Sequence, residues 1–396
     1  MRKNKGMSSK HALLSPSSAE RWLACTPSAR LGEKYPDTAG EAAKEGTIAH
    51  ALGEALIRYE AEIISEEVYL KEISEIEQSE YYNADMQELM EEYKDYVMEA
   101  YQVAALRTPD AELIIEDRLD LTKWVEGGFG TADAQIIADG ALNIIDLKYG
   151  RGVRVEAEGN KQMMLYALGA VEKAKIFYDI KDVTMTIYQP RLNNISTYLL
   201  GVDELYKFAE EELKPKAAQA YEGKGDFAVG DHCRFCKVKP RCRAYADEQK
   251  KIAQYDFKNA EELSDDEIAE ILTKADDVAS WLKDVQSYAL NVAVNEGKKF
   301  KGFKVVQGQS RRRYTNEDDV VSKLLENGFE EALLFEKKLL GITAMEKTIS
   351  KKRFTELLSD LVEKPEGKPT LVVESDKRPE WDRLGAAKDD FKDINL

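Results

Sequence analysis

Four cysteines constrain the fold of this chain more than any other feature: Cys25 stands alone near the start, and Cys233-x2-Cys236-x5-Cys242 follows far downstream. If the four grip one metal group, everything between them is closed into a single unit. Intracellular proteins seldom spend thiols on structural disulfides, so metal ligation is the first reading of the set. Four thiolates suit a tetrahedral structural zinc as well as an iron–sulfur cubane, and the triplet spacing does not choose between them. A zinc ribbon usually pairs two CxxC knuckles, whereas this chain has one knuckle, one further cysteine and a distant fourth. Arg234, Lys237, Lys239, Arg241 and Arg243 make the triplet too polar for a core of unliganded thiols. The same cations could offset the charge of a thiolate-ligated group or touch phosphate.

Hydrophobic periodicity divides the chain. Ser15-Pro16-Ser17-Ser18 ahead of Ala19-Glu20-Arg21-Trp22 reads as a capped helix start, and Cys25 ends that short helix. From Glu41 to Glu67, Ile48, Leu52 and Leu56 recur four apart, which stacks His50 and Glu54 on one face of a helix. A second long helix is expected from Ala84 to Leu106. Strand patterns follow over Glu112–Leu121, Gly128–Ile137 and Ala141–Tyr149, with turns at Gly127-Gly128 and Asp139-Gly140. A helix over Asn160–Lys173 precedes strands at Val183–Gln189 and Ser196–Leu200. This order predicts an α/β sandwich rather than a doubly wound sheet. Beyond a boundary near residue 250, an amphipathic helix over Asp265–Gly297, a strand over Lys301–Tyr314, helices over Thr315–Leu361 and an extended segment over Lys364–Arg378 are expected.

In a strand, alternate side chains share a face, so Asp146 and Lys148 point one way while Ile145 and Leu147 point into the opposite layer. Asp133, on the neighbouring strand of a tight meander, can be brought opposite them. Two carboxylates and the Leu147 carbonyl suit a hard cation such as Mg²⁺ or Mn²⁺. Lys148 would then orient or deprotonate a water that attacks a phosphodiester. A bare Asp-x-Lys also arises on solvated strand faces, and the run Gly128-Phe129-Gly130-Thr131-Ala132-Asp133 adds small residues where a substrate backbone could approach. Gln162 and Tyr166, at i and i+4, make one polar stripe on a helix; ordinary amphipathic packing gives the same pattern. His50 is one of three histidines and could complete the metal shell, with Glu54 the weaker candidate.

Taken in order, these residues resemble the PD-(D/E)xK superfamily, and within it the RecB-type nucleases with an iron–sulfur staple, such as the AddB nuclease domain and the CRISPR adaptation exonuclease. The resemblance covers the first 245 residues. It implies a metal-assisting histidine at His50, metal-binding carboxylates at Asp133 and Asp146, a water-activating lysine at Lys148, and a Gln-x3-Tyr pair at Gln162 and Tyr166 that positions the substrate strand. It implies a [4Fe-4S] cluster on Cys25, Cys233, Cys236 and Cys242, with structural zinc as the alternative. The implied fold is a restriction-endonuclease-like core, a mixed sheet flanked by helices, over residues 1–250, followed by a mainly helical α+β accessory domain over 251–396. The chain is also similar to a family of phage and prophage proteins with the same core and a distinct C-terminal half, including Gly367–Val372 and Asp376–Pro379.

The expectation is a phage-type, Mg²⁺- or Mn²⁺-dependent deoxyribonuclease, an exonuclease first, acting in recombination or replication. No GxxxxGK[ST] loop occurs in the sequence, so unwinding would come from a partner, a helicase or a phage single-strand annealing protein. The rival reading keeps the nuclease fold as a non-catalytic DNA-binding platform for recombination, with Arg311–Arg313 as a contact. The formal net charge of −17 excludes a histone-like nucleic-acid coat and leaves room for a local basic groove. The basic stretch Met1–Lys10 is followed by no apolar run, so a cytoplasmic location in a bacterial host, with no membrane partner, is expected.

Overall fold

The computed structural model of the chain describes residues 12–35, 40–250, 264–306, 316–327, 330–335 and 339–362. Arg311–Arg313 and the C-terminal segments after residue 362 lie outside the described residues. A helical preface comprises α1 (Ala19–Ala24), α2 (Ser28–Gly32), α3 (Glu41–Glu60), α4 (Glu66–Glu77) and α5 (Ala84–Arg107). The helix expected to run to Glu67 ends at Glu60: Glu62 takes a left-handed φ of 56° and the Ser65 hydroxyl caps the Val68 amide, which starts α4 as a separate helix. Asn83 caps α5 in the same way through the Met86 amide.

A five-stranded sheet follows: β1 (Glu112–Asp120), β2 (Phe129–Ala138), β3 (Ala141–Leu147), β4 (Asp182–Gln189) and β5 (Asn194–Gly201), in that spatial order. All pairs are antiparallel except β3 and β4, which run parallel because α6 (Lys161–Ala174) carries the chain across between them. This is a mixed α/β architecture. One side of the sheet packs on α6, whose Met163, Leu165, Leu168 and Val171 join Leu142, Ile144, Val183 and Met185. The other side packs on α3 and α5, where Leu52, Ile57, Met86 and Met90 meet Ile136, Ile145 and Leu147. The alternation expected for β3 is therefore present, with Ile144 in one layer and Ile145 and Leu147 in the other.

The alternation of β1 and β2 breaks at one place. Ile115 pairs with Ala134 and Asp117 with Ala132, which leaves Glu116 and Asp133 facing one another between them. Ala134 and Ile136 belong to the α3/α5 layer, yet Ala132, of the same parity, belongs to the α6 layer. Glu116 has a φ of 51°, and this left-handed residue turns the strand over where regular pleating would not.

After β5 come α7 (Val202–Phe208), α8 (Lys214–Glu222), the cysteine segment and α9 (Arg243–Lys250). The remaining described elements are α10 (Asp265–Asn295), α11 (Glu317–Glu326), α12 (Glu331–Leu334), α13 (Ile342–Ile349) and α14 (Lys351–Leu358). A full capping box of Ser264 and Glu267 opens α10. Residues 301–306 form turn and irregular structure, so the strand expected from Lys301 is absent over its described part. Helix α10 contacts the cysteine segment. Lys239 Nζ lies 2.8 Å from Asp284 of α10 and 3.3 Å from Ser280 Oγ, and the Arg241 guanidinium stands 5.5 Å over the Tyr288 ring. No helix among the described residues is long and apolar enough to cross a membrane.

Candidate functional site

The end of the sheet where the two layers meet collects the polar residues. His50 reaches it from α3, Glu116 from β1, Asp133 from β2, Asp146 from β3, Lys148 from just past the end of β3, and Gln162 and Tyr166 from the first turns of α6. Asn160 caps α6 through the Met163 amide, which fixes the helix start and hence the height of Gln162.

His50 Nδ1 stands 3.2 Å from Asp133 Oδ1. Asp133 Oδ2 accepts a 2.7 Å hydrogen bond from the Leu147 amide. Ligand atoms of His50, Glu116 and Asp133 lie within 4.8 Å of one another, the one such group among the described residues. Asp146 is 2% exposed. Its Oδ1 accepts from Gln162 Nε2 at 3.1 Å, while its Oδ2 forms an ion pair with Lys148 Nζ at 2.8 Å. Lys148 Nζ donates to Gln162 Oε1 at 2.9 Å, and Gln162 Nε2 lies 3.0 Å from the Tyr166 hydroxyl.

The charges interact strongly. Burial alone would lower the His50 imidazole, but the Asp133 carboxylate beside it more than compensates and raises the pKa to about 9. Asp133 feels burial in the opposite sense, and the charge and hydrogen bond of His50 hold it below the usual carboxylate range. Burial holds Asp146 above that range, opposed by Lys148 and reinforced by Asp133. Partial burial of its carboxyl, then the Asp133 charge, push Glu116 up to about 7. The imidazole of His50 and the clustered carboxylates of Glu116 and Asp133 form a donor set that fits a divalent cation such as Mn²⁺ or Mg²⁺.

The residues singled out in the sequence as a catalytic group thus meet at one place. The Glu54 carboxylate pairs with Arg58 at 3.0 Å, and its charge helps to raise Glu116. Leu147 meets the site through its amide, which donates to Asp133 Oδ2. Glu116 went unnoticed, because a glutamate in a charged edge strand carries no signal of a left-handed backbone. The glycines before Asp133 serve packing rather than substrate approach. A Cβ on Gly130 would come within 2.6 Å of Pro16 and 2.8 Å of the Tyr166 ring, and one on Gly128 within 2.7 Å of Val125.

The four cysteines line a cavity, walled also by Arg21, Ser28, Leu31, Phe227 and Val238. Cys25 caps the end of α1, its amide donating to the Arg21 carbonyl at 2.8 Å, and short 3₁₀ turns present Cys233, Cys236 and Cys242 from the other side. Burial pushes the Cys25 and Cys233 thiols up, opposed by nearby backbone amides. No three of the sulfurs lie within 4.8 Å of one another among the described residues.

A family model described as a protein of unknown function (DUF2800) matches residues 11–379, and the chain belongs to that family. Among solved structures, one described as the crystal structure of SSO0001 is 14% identical over 57% of this chain and 96% of that one, with a TM-score of 0.21.

Proposed function

We propose that this DUF2800 protein is a divalent-metal-dependent nuclease hydrolysing phosphodiester bonds in DNA, built on a RecB-type PD-(D/E)xK core that a cysteine-ligated iron–sulfur cluster holds closed. The reading rests on one observation: His50, Asp133, Asp146, Lys148, Gln162 and Tyr166 come from four separate elements and the end of a strand, and form two adjacent polar groups, His50 with Asp133 and Asp146 with Lys148, Gln162 and Tyr166, whose charges act on one another. A solvated strand face gives Asp-x-Lys by chance. It does not give a buried aspartate whose lysine and glutamine are locked to one another.

A divalent cation held by His50, Glu116 and Asp133, with Asp146 beside them, would supply Lewis acidity to the scissile phosphate. The chain's own residues set up the rest. Lys148 carries three N–H donors, and Asp146 and Gln162 engage two directions, which leaves one for the attacking water or a phosphate oxygen. Gln162 is a positioning residue: its amide oxygen holds Lys148 and its amide nitrogen holds Asp146, so both keep a single geometry. The Leu147 amide and His50 orient the two oxygens of Asp133. The setting that the resemblance suggests is phage recombination or replication, with exonuclease action on strands opened by a helicase or an annealing partner.

The test uses anaerobically purified protein with Mn²⁺ on linear end-labelled single- and double-stranded DNA. Metal-dependent cleavage by the wild type, lost in Asp146→Asn, supports the reading; equal cleavage by both rejects the site.

A further inference from the structure

Two buried donors at the four-cysteine cavity lack an acceptor. Ser28 is 3% exposed and its hydroxyl makes no hydrogen bond, and Arg21 Nε is likewise buried and without a hydrogen-bond partner. Both residues line the cavity together with the four thiols. Their positions follow from the backbone around Cys25: the Cys25 amide donates to the Arg21 carbonyl, and the Ser28 amide donates to the Cys25 carbonyl at 3.0 Å. Arg21 therefore sits one turn before the first cysteine and Ser28 opens the helix after it, each held in fixed relation to Cys25.

A buried hydroxyl and a buried guanidinium N–H are costly unless something accepts from them. Leu31, Phe227, Ala228 and Val238 in the lining offer no side-chain acceptor, His232 Nε2 is engaged with the Ala228 carbonyl at 3.0 Å, and neither donor bonds to Tyr245. An anionic group carrying sulfur acceptors on several sides would satisfy both donors, and a thiolate-ligated cluster is such a group.

We propose that Ser28 Oγ and Arg21 Nε are outer hydrogen-bond donors to the sulfur atoms of the cluster held by Cys25, Cys233, Cys236 and Cys242, and that together they set its reduction potential. This rests on the cluster reading of the cysteines. Donors of this kind stabilise the more negative, reduced state, so they raise the potential and their removal lowers it. Arg21 adds a full positive charge to the same effect. Neither residue touches the metal-binding carboxylates, so their influence is confined to the cluster.

The experiment takes the full chain purified anaerobically, counts iron and sulfide, and titrates with dithionite while visible absorption and electron paramagnetic resonance follow the cluster. Ser28→Ala and Arg21→Met are expected to lower the midpoint potential at unchanged iron content, and Ser28→Thr, which keeps the hydroxyl, to stay near the wild type. Arg21→Met gives an independent reading if Ser28→Ala fails to hold a cluster. Fully loaded variants titrating at the wild-type potential overturn the proposal alone. Zinc in place of iron overturns it together with the cluster reading, and DNA cleavage on the same preparation separates both from the nuclease reading.

Discussion

Glu116 faces Asp133 across the β1–β2 pair, and at that pair both strands exchange the layer into which they pack. Two carboxylates are brought together at the one place where the sheet departs from regular alternation. A left-handed backbone costs a residue with a Cβ about 1–2 kcal/mol, so the position carries strain as well as charge repulsion.

Glu116→Gly should relieve both. We expect the metal-free protein to gain about 1 kcal/mol in urea unfolding, since glycine takes this φ without penalty. The same variant should bind Mn²⁺ more weakly in calorimetric titration, as should Glu116→Gln, which keeps the strain. A destabilised glycine variant with undiminished Mn²⁺ affinity would remove Glu116 from the site.

The pH dependence of the metal-free protein follows from the two raised pKa values. His50 rises from 6.5 to about 9, so its stabilisation is complete below pH 6.5 and is lost as pH climbs through about 9. Glu116 rises from 4.5 to about 7, and its stabilisation is likewise lost on the way up through about pH 7. In both cases the folded state binds more protons than the unfolded one. Thermal melts in chelator should therefore give a Tm that falls between pH 5 and 9, with a shallower fall in His50→Gln. A Tm that rises over that range contradicts these assignments.

Metal binding runs against the same protons. A cation must displace the His50 proton below about pH 9, so Mn²⁺ affinity should increase with pH and binding should release protons into a weakly buffered solution. His50→Gln should bind more weakly with a flatter pH profile. Proton release unchanged by that substitution would argue that His50 is not a ligand.

Lys239 is 7% exposed and depends on Asp284 for its counter-charge. Asp284→Ala should cost about 2 kcal/mol, the scale for a charged hydrogen bond lost to a buried partner. Hydrogen exchange should then speed up in α10 and around Cys236–Cys242 together. Faster exchange in α10 alone would mean that the helix is not clamped to the cysteine segment.

Much of the layout was legible because it is local. Ile144-Ile145-Asp146-Leu147 reads as a strand from its period, and the Asp146–Lys148 contact follows from side chains two apart sharing a face. His50 could be placed on its helix from Leu52 and Leu56, though nothing local gave its distance from Asp133. What escaped was non-local or conformational. Ser65 ends one helix and starts another by a single cap, a signal lost inside a continuous apolar pattern. Gly130 looked like room for a substrate, but its constraint comes from Pro16 and Tyr166, far away in sequence on either side. The docking of α10 on Lys239 and Arg241 depends on charges separated by dozens of residues.

The central claim is that Lys148, locked by Asp146 and Gln162, performs chemistry rather than closing a salt bridge. The most direct measurement compares wild type and Lys148→Ala for Mn²⁺ binding by calorimetry and for cleavage of end-labelled linear DNA in the same buffer. The account predicts that the variant keeps Mn²⁺ and its cluster but loses cleavage by at least about 10²-fold. Cleavage at the wild-type rate, or a Mn²⁺-loaded wild type that binds DNA and never cuts it, would contradict it.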